Sequence, residues 1–458
     1  MLTGQQMIDE QESDMVQERY FEHGSEIRAG SGKTYVVEKK IGEGGQGIVY
    51  RVSCEGKPYA LKWYKPYGLG TDPDAFYNNL KKNVENGRPD SSFLWPLDLT
   101  ERINGSFGYV MELRPEHFYD VTDYMTTNVR FSSYKVAAKA CGQIISAFRI
   151  LHNAGYSYQD INDGNFFIDP ETGDVLICDN DNVAPDGFYT GIIGKPRYMA
   201  PEIVVGMKDR AEGREGKMPD TLSDRHSLAV ILFIILTMSH PLEGKKSLVD
   251  AMSPEMQEKL YGTHPLFVMD PEDRSNGPDE VVHRNLLSVW SSFPAYLREM
   301  FQRTFSRDAL RKPERRPPEV EWLQALLRFG NEIVECECGN EVFIDAGVNK
   351  PCEVCGKMTA IHYRIRFPKY AMAIGRGTFL YRGQFGLCDA KEAARPVARV
   401  SVKKNDSGTL AFRNSDTRSW QYTVPGIGMK KIMPDQIAYV GAGCELCAYD
   451  IPAVIERA

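Results

Sequence analysis

Three polar side chains are spaced along the chain in a way that suits a metal-assisted reaction. Asp160 and Asn165 lie five residues apart in one polar segment, and Asp179 directly follows the apolar residues Ile177 and Cys178. On a loop of this kind an aspartate can accept or orient the proton of an attacking hydroxyl, while an amide oxygen and a second carboxylate coordinate Mg²⁺. Each motif taken alone is also compatible with an ordinary polar turn.

A glycine-rich segment upstream could hold the phosphates that such a metal accompanies. Gly42, Gly44 and Gly47 form the pattern G-x-G-x-x-G-x-V, which ends at Val49. Glycine lets a hairpin close over a polyphosphate without Cβ collisions, so backbone N–H groups can face the oxygen atoms. Lys62 follows in an apolar strand and is a candidate cation for the α and β phosphates. A plain glycine hairpin and a surface lysine are the alternative interpretations.

The order of these features over about residues 34–325 resembles the eukaryotic-type serine/threonine protein kinase family as found in bacteria. The glycine loop, Lys62, the loop with Asp160 and Asn165, and Asp179 each match a family motif. Ala200-Pro201-Glu202 resembles the end of an activation segment, and the resemblance implies that Arg316 pairs with Glu202. It also implies an α+β, bilobal protein-kinase fold.

The resemblance implies transfer of a phosphoryl group from ATP, with Mg²⁺ or Mn²⁺, to Ser/Thr hydroxyls of proteins. Its catalytic residues are Asp160, Lys62 and Asn165, and its Mg²⁺ ligands are Asn165 and Asp179. The implied nucleotide-binding residues are Gly42, Gly44, Gly47, Val49, Ala60, Lys62, Met111, Glu112, Leu113, Asn165 and Asp179. Two alternatives remain open: a pseudokinase that acts as an ATP-responsive scaffold, and a small-molecule phosphotransferase.

Several positions depart from the family pattern. Gln159 stands where the family's His-Arg-Asp has arginine, so no cation beside Asp160 awaits a phosphorylated activation loop. We therefore expect activity without activation-loop phosphorylation. Asn162 replaces the lysine that lies two residues after the catalytic aspartate in Ser/Thr kinases. The Asp-Phe-Gly triplet becomes Asp179-Asn180-Asp181, which keeps the metal ligand and loses the apolar side chain.

The glutamate that would pair with Lys62 has no clear match. Glu85 is the only glutamate in the expected helix over residues 73–86, and it lies later than the family pattern suggests. Asn78 and Asn79 lie nearer to the expected position. The active-state ion pair is therefore left unassigned by the sequence.

A cysteine module follows the kinase-like region. Cys336 and Cys338 form C-x-C, and Cys352 and Cys355 form C-x-x-C. Four thiolates on two short turns suit a tetrahedral, structural Zn²⁺, and four cysteines leave no open position for catalysis. Unmetallated buried cysteines are the alternative. A further pair, Cys444-x-x-Cys447, is interpreted as packing, with a redox or metal role as the alternative.

The last hundred residues predict a small β domain. Short alternating runs rich in Gly, Val and Tyr predict strands. Gly375-Arg376, Arg413-Asn414 and Trp420 resemble a forkhead-associated β-sandwich, without that family's Ser-x-x-His. A β-sandwich used for docking or autoregulation is therefore expected. The order kinase, zinc ribbon and β tail resembles kinases encoded beside a phosphatase and a von Willebrand factor A-like protein in bacterial tellurite-resistance and stress clusters. These two proteins are the implied partners besides protein substrates.

The expected domains are a mobile leader (1–30), a kinase-like domain (31–328, its small lobe 31–113 and large lobe 114–328), a zinc ribbon (333–360) and a β-rich domain (362–458). The formal charge of −7 and the lack of a basic block disfavour nucleic acid as a partner. The most apolar run, Leu228–Met238, is shorter than the roughly 20 residues of a bilayer span. With no secretory h-region in the first thirty residues, a cytoplasmic location is expected.

Overall fold

The computed structural model describes residues 21–69, 72–189, 191, 194–403 and 406–458. The chain divides into two compact units. The first comprises the residues up to Arg88 together with Leu94–Pro115, and the second comprises Pro89–Phe93 and Glu116–Ala458. Most of the leader expected over residues 1–30 lies outside the described residues.

The first unit is built on a six-stranded antiparallel sheet in the order β1-β2-β3-β4-β6-β5. Its strands are β1 (Glu26–Arg28), β2 (Thr34–Glu43), β3 (Gly47–Cys54), β4 (Lys57–Tyr64), β5 (Asp98–Leu99) and β6 (Gly108–Glu112). Buried and partly exposed residues alternate along β3 because one face of the strand packs into the core, where Ile48, Tyr50 and Val52 are buried. β3 pairs with β4 in the register that places Val49 opposite Lys62.

The expectation of a mobile leader is wrong for residues 26–28. They form β1, which pairs with Thr34–Val36 of β2. Ile27 and Ala29 are buried in the core of the first unit. This pairing across a tight turn was not visible as periodicity in so short a strand.

One helix, α1 (Pro73–Asn86), belongs to the first unit. Asp72 caps it, because its side chain accepts a hydrogen bond from the N–H of Ala75, and Pro73 occupies the first turn, where no N–H is needed. Phe76 is buried, with its ring centroid 5.2 Å from that of Tyr64 in β4. The helix therefore packs on the strand that carries Lys62.

The second unit is mostly helical up to residue 332. Its helices are α2 (Val121–Met125), α3 (Tyr134–Asn153), α4 (Pro201–Ala211), α5 (Thr221–Thr237), α6 (Pro254–Glu258), α7 (Arg284–Ser292), α8 (Ala295–Thr304), α9 (Arg307–Arg311) and α10 (Glu319–Glu332). Tighter or wider turns lie at Asp163–Asn165, Asn180–Asn182, Lys245–Ser247, Lys259–Thr263, Arg274–Asn276 and Pro313–Arg315. α5 is apolar on all sides because almost its whole length is buried. Among the described residues, no helix is long and apolar enough to cross a membrane.

Short strands hold the polar loops of the second unit. They are β7 (Tyr119–Asp120), β8 (Tyr156–Ser157), β9 (Phe166–Ile168), β10 (Val175–Ile177) and β11 (Ala184–Pro185). β9 pairs with β10 and β7, and β8 pairs with β11. Residues 89–93, which the expected boundaries place in the small lobe, group with this unit instead. The reason is that the Ser92 carbonyl accepts a hydrogen bond from the N–H of Ile177, at 2.7 Å.

The cysteine module begins directly after α10 as a hairpin of β12 (Ile333–Glu335) and β13 (Glu341–Phe343). Phe343 packs on the helical part of the second unit, with ring centroids 4.9 Å from Tyr134, 5.9 Å from Phe293 and 5.2 Å from Phe329. Glu341 accepts hydrogen bonds from the backbone N–H groups of Tyr134 (2.6 Å) and Lys135 (3.3 Å). The hairpin thus supplies acceptors for the first turn of α3.

The C-terminal region is a β-sandwich. One sheet has the order β15-β14-β23-β22-β19-β20 and the other β16-β17-β18-β21. The strands are β14 (Tyr363–Arg366), β15 (Ala371–Ile374), β16 (Phe379–Tyr381), β17 (Pro396–Lys403), β18 (Asp406–Asn414), β19 (Trp420–Val424), β20 (Gly428–Ile432), β21 (Ile437–Tyr439), β22 (Glu445–Ala448) and β23 (Ile451–Arg457), with a 3₁₀ turn at Arg382–Phe385 and helix α11 (Ala390–Ala393) between β16 and β17. Cys444 packs in the sandwich core, as expected.

Candidate active site

The glycine segment forms the turn between β2 and β3. The Gly44 N–H donates to the Gly47 carbonyl at 2.9 Å and closes the turn. A Cβ on Gly47 would lie 2.4 Å from the Trp63 carbonyl oxygen, so no other residue fits there. A Cβ on Gly44 would meet nothing within 4 Å. The turn therefore has an open backbone face that oxygen atoms of a ligand can approach.

Lys62 lies directly below this turn within the first unit. It pairs with Val49 of β3 and Tyr109 of β6, and it is 4% exposed. Its Nζ donates to Gln46 Oε1 of the glycine turn at 3.0 Å. A phosphate oxygen is a stronger acceptor for a buried ammonium than an amide oxygen, so this position suits a bound polyphosphate. Glu85, the glutamate considered as its partner, is exposed in the last turn of α1.

The residues implied to surround the nucleotide lie on neighbouring strands. Ala60 and Met111 are register partners across β4 and β6, and both are buried. Glu112 lies opposite Tyr59, and Leu113 follows the end of the strand. Val49, Ala60 and Met111 are apolar residues on the adjacent strands β3, β4 and β6.

The loop with Asp160 and Asn165 is held by its own amides in the second unit. Asn165 Nδ2 donates to the Asp160 carbonyl at 2.8 Å, which leaves the Asn165 Oδ1 as a candidate metal ligand. Asn162 Nδ2 donates to the Asp160 carboxylate at 3.1 Å, and its own Oδ1 accepts from the Gly164 N–H. The first two site residues are therefore brought together, with the acid in a fixed orientation.

A buried charge network anchors this loop from below. Asp224 of α5 accepts hydrogen bonds from the N–H groups of Tyr158 (2.6 Å) and Gln159 (3.1 Å). His152, at the end of α3, bridges Asp224 (3.1 Å) and Glu319 of α10 (2.9 Å). Burial opposes the charge of His152, but the two carboxylates outweigh it and raise its pKa to about 9. His152 is thus a buried cation between two anions.

Asp179 directly follows Cys178, whose backbone is hydrogen-bonded to this loop. The N–H of Cys178 donates to the Asn165 carbonyl at 2.9 Å, so the two candidate metal ligands lie on hydrogen-bonded segments. Asp179 adopts a left-handed conformation with φ 52°. Asn180 takes the position of the lost apolar side chain: it is fully buried, and its Nδ2 donates to the Ile177 carbonyl at 2.9 Å.

The ion pair implied between Arg316 and Glu202 is confirmed. Arg316 is 2% exposed, and its guanidinium donates to both carboxylate oxygens of Glu202, at 2.7 and 2.8 Å. The pair is bidentate and largely buried, so it fixes the start of α4 to the segment before α10.

The four cysteines of the module converge. The Sγ atoms of Cys336 and Cys355 are 3.5 Å apart and those of Cys338 and Cys352 are 3.7 Å apart, and all four lie within 4.8 Å of one another. Four sulfurs at the usual Zn–S distance of about 2.3 Å from one centre would be about 3.8 Å apart. The N–H groups of Cys355 and Val354 lower the pKa of Cys352 and favour its thiolate. The pKa of Cys336 is raised, because the hydrogen bond from the Cys338 N–H is outweighed by burial and the Cys355 thiol. The group therefore fits a tetrahedral zinc ion.

Two groups of functional residues had no signal in the sequence. The His152–Glu319 bridge and the Glu341 contact with α3 join segments 167 and 207 residues apart. The resemblance assigned no role to Lys195, which lies five residues before Ala200. A search for a cation to replace the lysine missing at Asn162 could have found it.

The sheet with its glycine turn and buried lysine, and the helical unit with its Asp160–Asn165 loop, define a nucleotide-dependent phosphotransferase. The protein kinase domain family matches residues 35–291, more than half of the chain. The chain belongs to the protein kinase family.

Curated proteins with similar sequences are also protein kinases. Serine/threonine-protein kinase pim-2 of Danio rerio is 27% identical over 245 residues, which cover 50% of this chain and 75% of that protein. Protein kinase C delta type of Mus musculus is 28% identical over 182 residues, 38% of this chain and 26% of that protein. The crystal structure of the Mycobacterium tuberculosis PknI kinase domain aligns with a TM-score of 0.41 and 18% identity, over 67% of this chain and 98% of that one. The expected fold class and the enzyme class, a protein serine/threonine kinase, are confirmed.

Proposed function

We propose that this chain transfers the γ-phosphoryl group of ATP to serine or threonine hydroxyls of protein substrates. The observation that carries the proposal is the loop in which Asn162 and Asn165 orient Asp160 while Asp224 holds its backbone. Such preorganisation is what phosphoryl transfer needs, because its catalysis is mostly positioning and charge neutralisation.

The residues take the following roles. The glycine turn and Lys62 bind the phosphates, and Asp160 accepts the proton of the acceptor hydroxyl. As the new oxygen–phosphorus bond forms, the bond between the γ-phosphorus and the bridging oxygen breaks, and ADP leaves. Asn165 and Asp179 would hold Mg²⁺ or Mn²⁺, which supplies positive charge to the phosphates when bound.

The proposed activity does not depend on phosphorylation of the activation segment. Gln159, in place of the family's arginine, donates through its Nε2 to the Phe188 carbonyl, so a neutral amide already holds the following segment. Treatment with a phosphatase is expected to leave the transfer rate unchanged within about twofold. A large loss of activity would contradict this part of the proposal.

The cysteine module is proposed to hold one structural zinc ion. Its four sulfurs have the separations of a tetrahedral site, and its hairpin packs on the kinase domain through Phe343. Metal analysis of the purified protein should find about one zinc per chain. A Cys338→Ser, Cys352→Ser variant is the matched control and should lose the metal. The β-sandwich is proposed to serve docking or autoregulation, and the phosphatase and von Willebrand factor A-like partners stay predictions.

The decisive experiment is transfer from γ-labelled ATP with Mg²⁺ or Mn²⁺, to the protein itself and to generic protein acceptors. Asp160→Asn and Asp179→Ala are the controls, and label that disappears in both supports the proposal. Mapping the labelled residue decides between serine or threonine and other acceptors. Binding of ATP without any transfer would favour the pseudokinase scaffold.

A further inference from the structure

The catalytic loop lacks the cation that its family usually places there. Asn162 stands at that position, and its side chain is occupied: Nδ2 holds Asp160, and Oδ1 accepts from the Gly164 N–H. A neutral amide cannot offset the negative charge that a transferring phosphoryl group spreads over its oxygens. A cation from elsewhere in the second unit would be needed for that task.

Lys195 lies outside this loop in the chain, and its side chain contacts the loop next to Asn162. Its Nζ is 3.1 Å from Asp163 Oδ1, directly after Asn162 in the chain. The preceding residue, Gly194, runs against the acid itself, since a Cβ on Gly194 would lie 3.0 Å from Asp160 Oδ1. The backbone of Lys195 is therefore next to the carboxylate that faces the acceptor hydroxyl.

The Lys195 side chain is free to move to a substrate. It is 59% exposed, whereas its partner Asp163 is buried and also accepts from the Thr122 hydroxyl at 3.1 Å. An ion pair with one exposed partner is weakly held in water. A phosphoryl oxygen with a greater charge can thus take the ammonium from Asp163 at little cost.

We propose that Lys195 is the cation that stabilises the transferring phosphoryl group, in place of the lysine lost at Asn162. This inference rests on the proposed function. In the step, the ammonium donates hydrogen bonds to the γ-phosphoryl oxygens while the new oxygen–phosphorus bond forms and ADP leaves. Lys195 gives up no proton, because the proton of the acceptor hydroxyl goes to Asp160.

The test moves the lysine. Lys195→Met is expected to lower kcat by about 100-fold, the usual cost of losing one such donor, with KM for ATP changed little. Adding Asn162→Lys to that variant should restore at least a tenth of the wild-type kcat. Lys208→Met is the matched control, because Lys208 is a half-exposed lysine paired with Glu258 at 2.9 Å, on α4.

The outcomes separate the two proposals. Wild-type transfer that Asp160→Asn abolishes supports the proposed function, whatever Lys195 does. A Lys195→Met protein with wild-type kcat overturns the role of Lys195. So does a loss of kcat that Asn162→Lys fails to restore, when Asn162→Lys by itself keeps the wild-type kcat and the melting temperatures of the variants match the wild type. A wild-type protein without transfer contradicts the proposed function and this inference with it.

A second, independent observation is a cavity of about 570 Å³ inside the second unit. It lies between α3, α10 and the start of the β-sandwich, and its walls include Leu326, Leu327, Phe379 and Pro396. Small-molecule sites have this size, and they occur preferentially where two domains meet. It is separate from the Asp160 loop.

Two glycines keep the cavity open. Gly142 in α3 and Gly330 in α10 both line it, and a Cβ on either would meet nothing within 4 Å. Glycine inside a helix costs about 1 kcal/mol relative to alanine. Two facing helices therefore carry a destabilising residue where a larger one would fit, and both of these residues line the same cavity.

One end of the cavity carries the ammonium of Lys135, which the nearby Glu341 carboxylate also attracts. Lys139 pairs with Asp174 at 2.7 Å, whereas Lys135 forms no ion pair among the residues that the structure describes. The only carboxylate among the lining residues, Asp90, belongs to the other end. It accepts a hydrogen bond from the N–H of Ser92 at 2.9 Å, and the Ser92 hydroxyl accepts one from Gln143 Nε2 at 3.0 Å. Lys135 and Gln143 are eight residues apart on α3, about 12 Å along the helix.

The geometry points to a binding site for an elongated apolar molecule with one anionic end group, which lies at Lys135. The apolar part would run along Gly142 and Gly330. Fatty acids and aromatic carboxylates or sulfonates share this chemistry.

Two fluorescent probes test the site on the full chain. The anionic 1-anilinonaphthalene-8-sulfonate should bind saturably with one site per chain, and the neutral N-phenyl-1-naphthylamine more weakly. Gly142→Leu and Gly330→Leu should each lower the affinity at least tenfold. Gly375→Leu is the matched control, since its Cβ also meets nothing within 4 Å and it lies outside the cavity. Lys135→Met should weaken only the anionic probe.

Hydrogen exchange of the wild-type protein gives a readout that needs no variant. Binding of the anionic probe should slow exchange in residues 135–146 and 326–331. Protection from exchange only outside these two segments would overturn the site. So would Gly142→Leu and Gly330→Leu proteins that bind the probe with wild-type affinity. Equal effects of Lys135→Met on both probes overturn its anionic end.

Discussion

The two ends of α3 are held in different ways. At the first turn, Glu341 of the cysteine hairpin accepts from the N–H groups of Tyr134 and Lys135. At the last turn, His152 is locked between Asp224 and Glu319. The first contact comes from a module that its four thiols organise, and the second comes from charges buried in the kinase domain. The catalytic loop follows the second end, so its position depends mainly on the buried charges.

The largest effect is expected when the buried charges at the last turn of α3 are disrupted. Asp224→Ala removes the acceptor of two backbone N–H groups and leaves His152 with one carboxylate. The free energy of unfolding should fall by about 3–5 kcal/mol, as for other broken buried ion pairs, and transfer activity should be lost. Urea unfolding followed by circular dichroism measures it. Asp209→Ala, which removes a surface pair with Arg214, should change stability by less than about 1 kcal/mol.

The next effect is a pH dependence of the same end. The pKa of His152 is raised from 6.5 to about 9, so its contribution is fully present below pH 6.5 and is lost as the pH rises through 9. Stability should fall by about 3 kcal/mol over this window. Urea unfolding at several pH values, in the wild type and in His152→Gln, isolates the effect. Profiles that run parallel in both proteins would rule out the buried cation.

A smaller effect concerns the first turn of α3, which contacts the cysteine hairpin. Cys355→Ser removes one of four thiolates and should release the proposed zinc ion. The stabilisation lost is about 2–3 kcal/mol if the ion is present at about 100 times its Kd. Differential scanning calorimetry with and without added zinc measures this loss. Zinc should raise the melting temperature of the wild type and leave that of the variant unchanged. A variant that still gains stability from zinc would contradict the four-thiolate site.

The smallest effect sharpens the comparison. Glu341→Gln keeps a hydrogen-bond acceptor but removes the negative charge at the start of α3. A loss of about 1 kcal/mol is expected from the helix dipole and the weaker hydrogen bonds. Glu335→Gln is the control, because Glu335 lies opposite Glu341 in the same hairpin and is exposed. Equal unfolding free energies for the two variants would show that Glu341 does not support α3.

The sequence was sufficient for the features that local spacing encodes. The glycine turn, Lys62, and the Asp160–Asn165 loop have fixed separations along the chain, and the cysteine pairs do as well. Lys62 contacts the glycine turn through Gln46, Asn165 contacts Asp160, and the four cysteine sulfurs converge. The β-sandwich was also predictable, because its strands alternate over short runs between turn residues.

Long-range partners were not predictable. Nothing in the vicinity of Glu341 or Glu319 marks them as contacts of α3, because the contact depends on the packing of distant elements. The strand at residues 26–28 and the grouping of residues 89–93 with the second unit could not be predicted for the same reason. Each is defined by a partner strand or carbonyl, and three to five residues carry too little pattern to reveal it.

The contacts of Phe343 have a practical consequence for how the protein is divided. Its ring fills the space between Tyr134, Phe293 and Phe329, so a fragment that ends at residue 328 would expose two of these aromatic residues and lack the third. Exposed aromatic surface of this kind drives self-association. Expression trials that compare fragments ending at residues 328 and 360 should find the shorter one aggregated. The kinase domain and its cysteine hairpin then form one folding unit, and they are best expressed as one fragment.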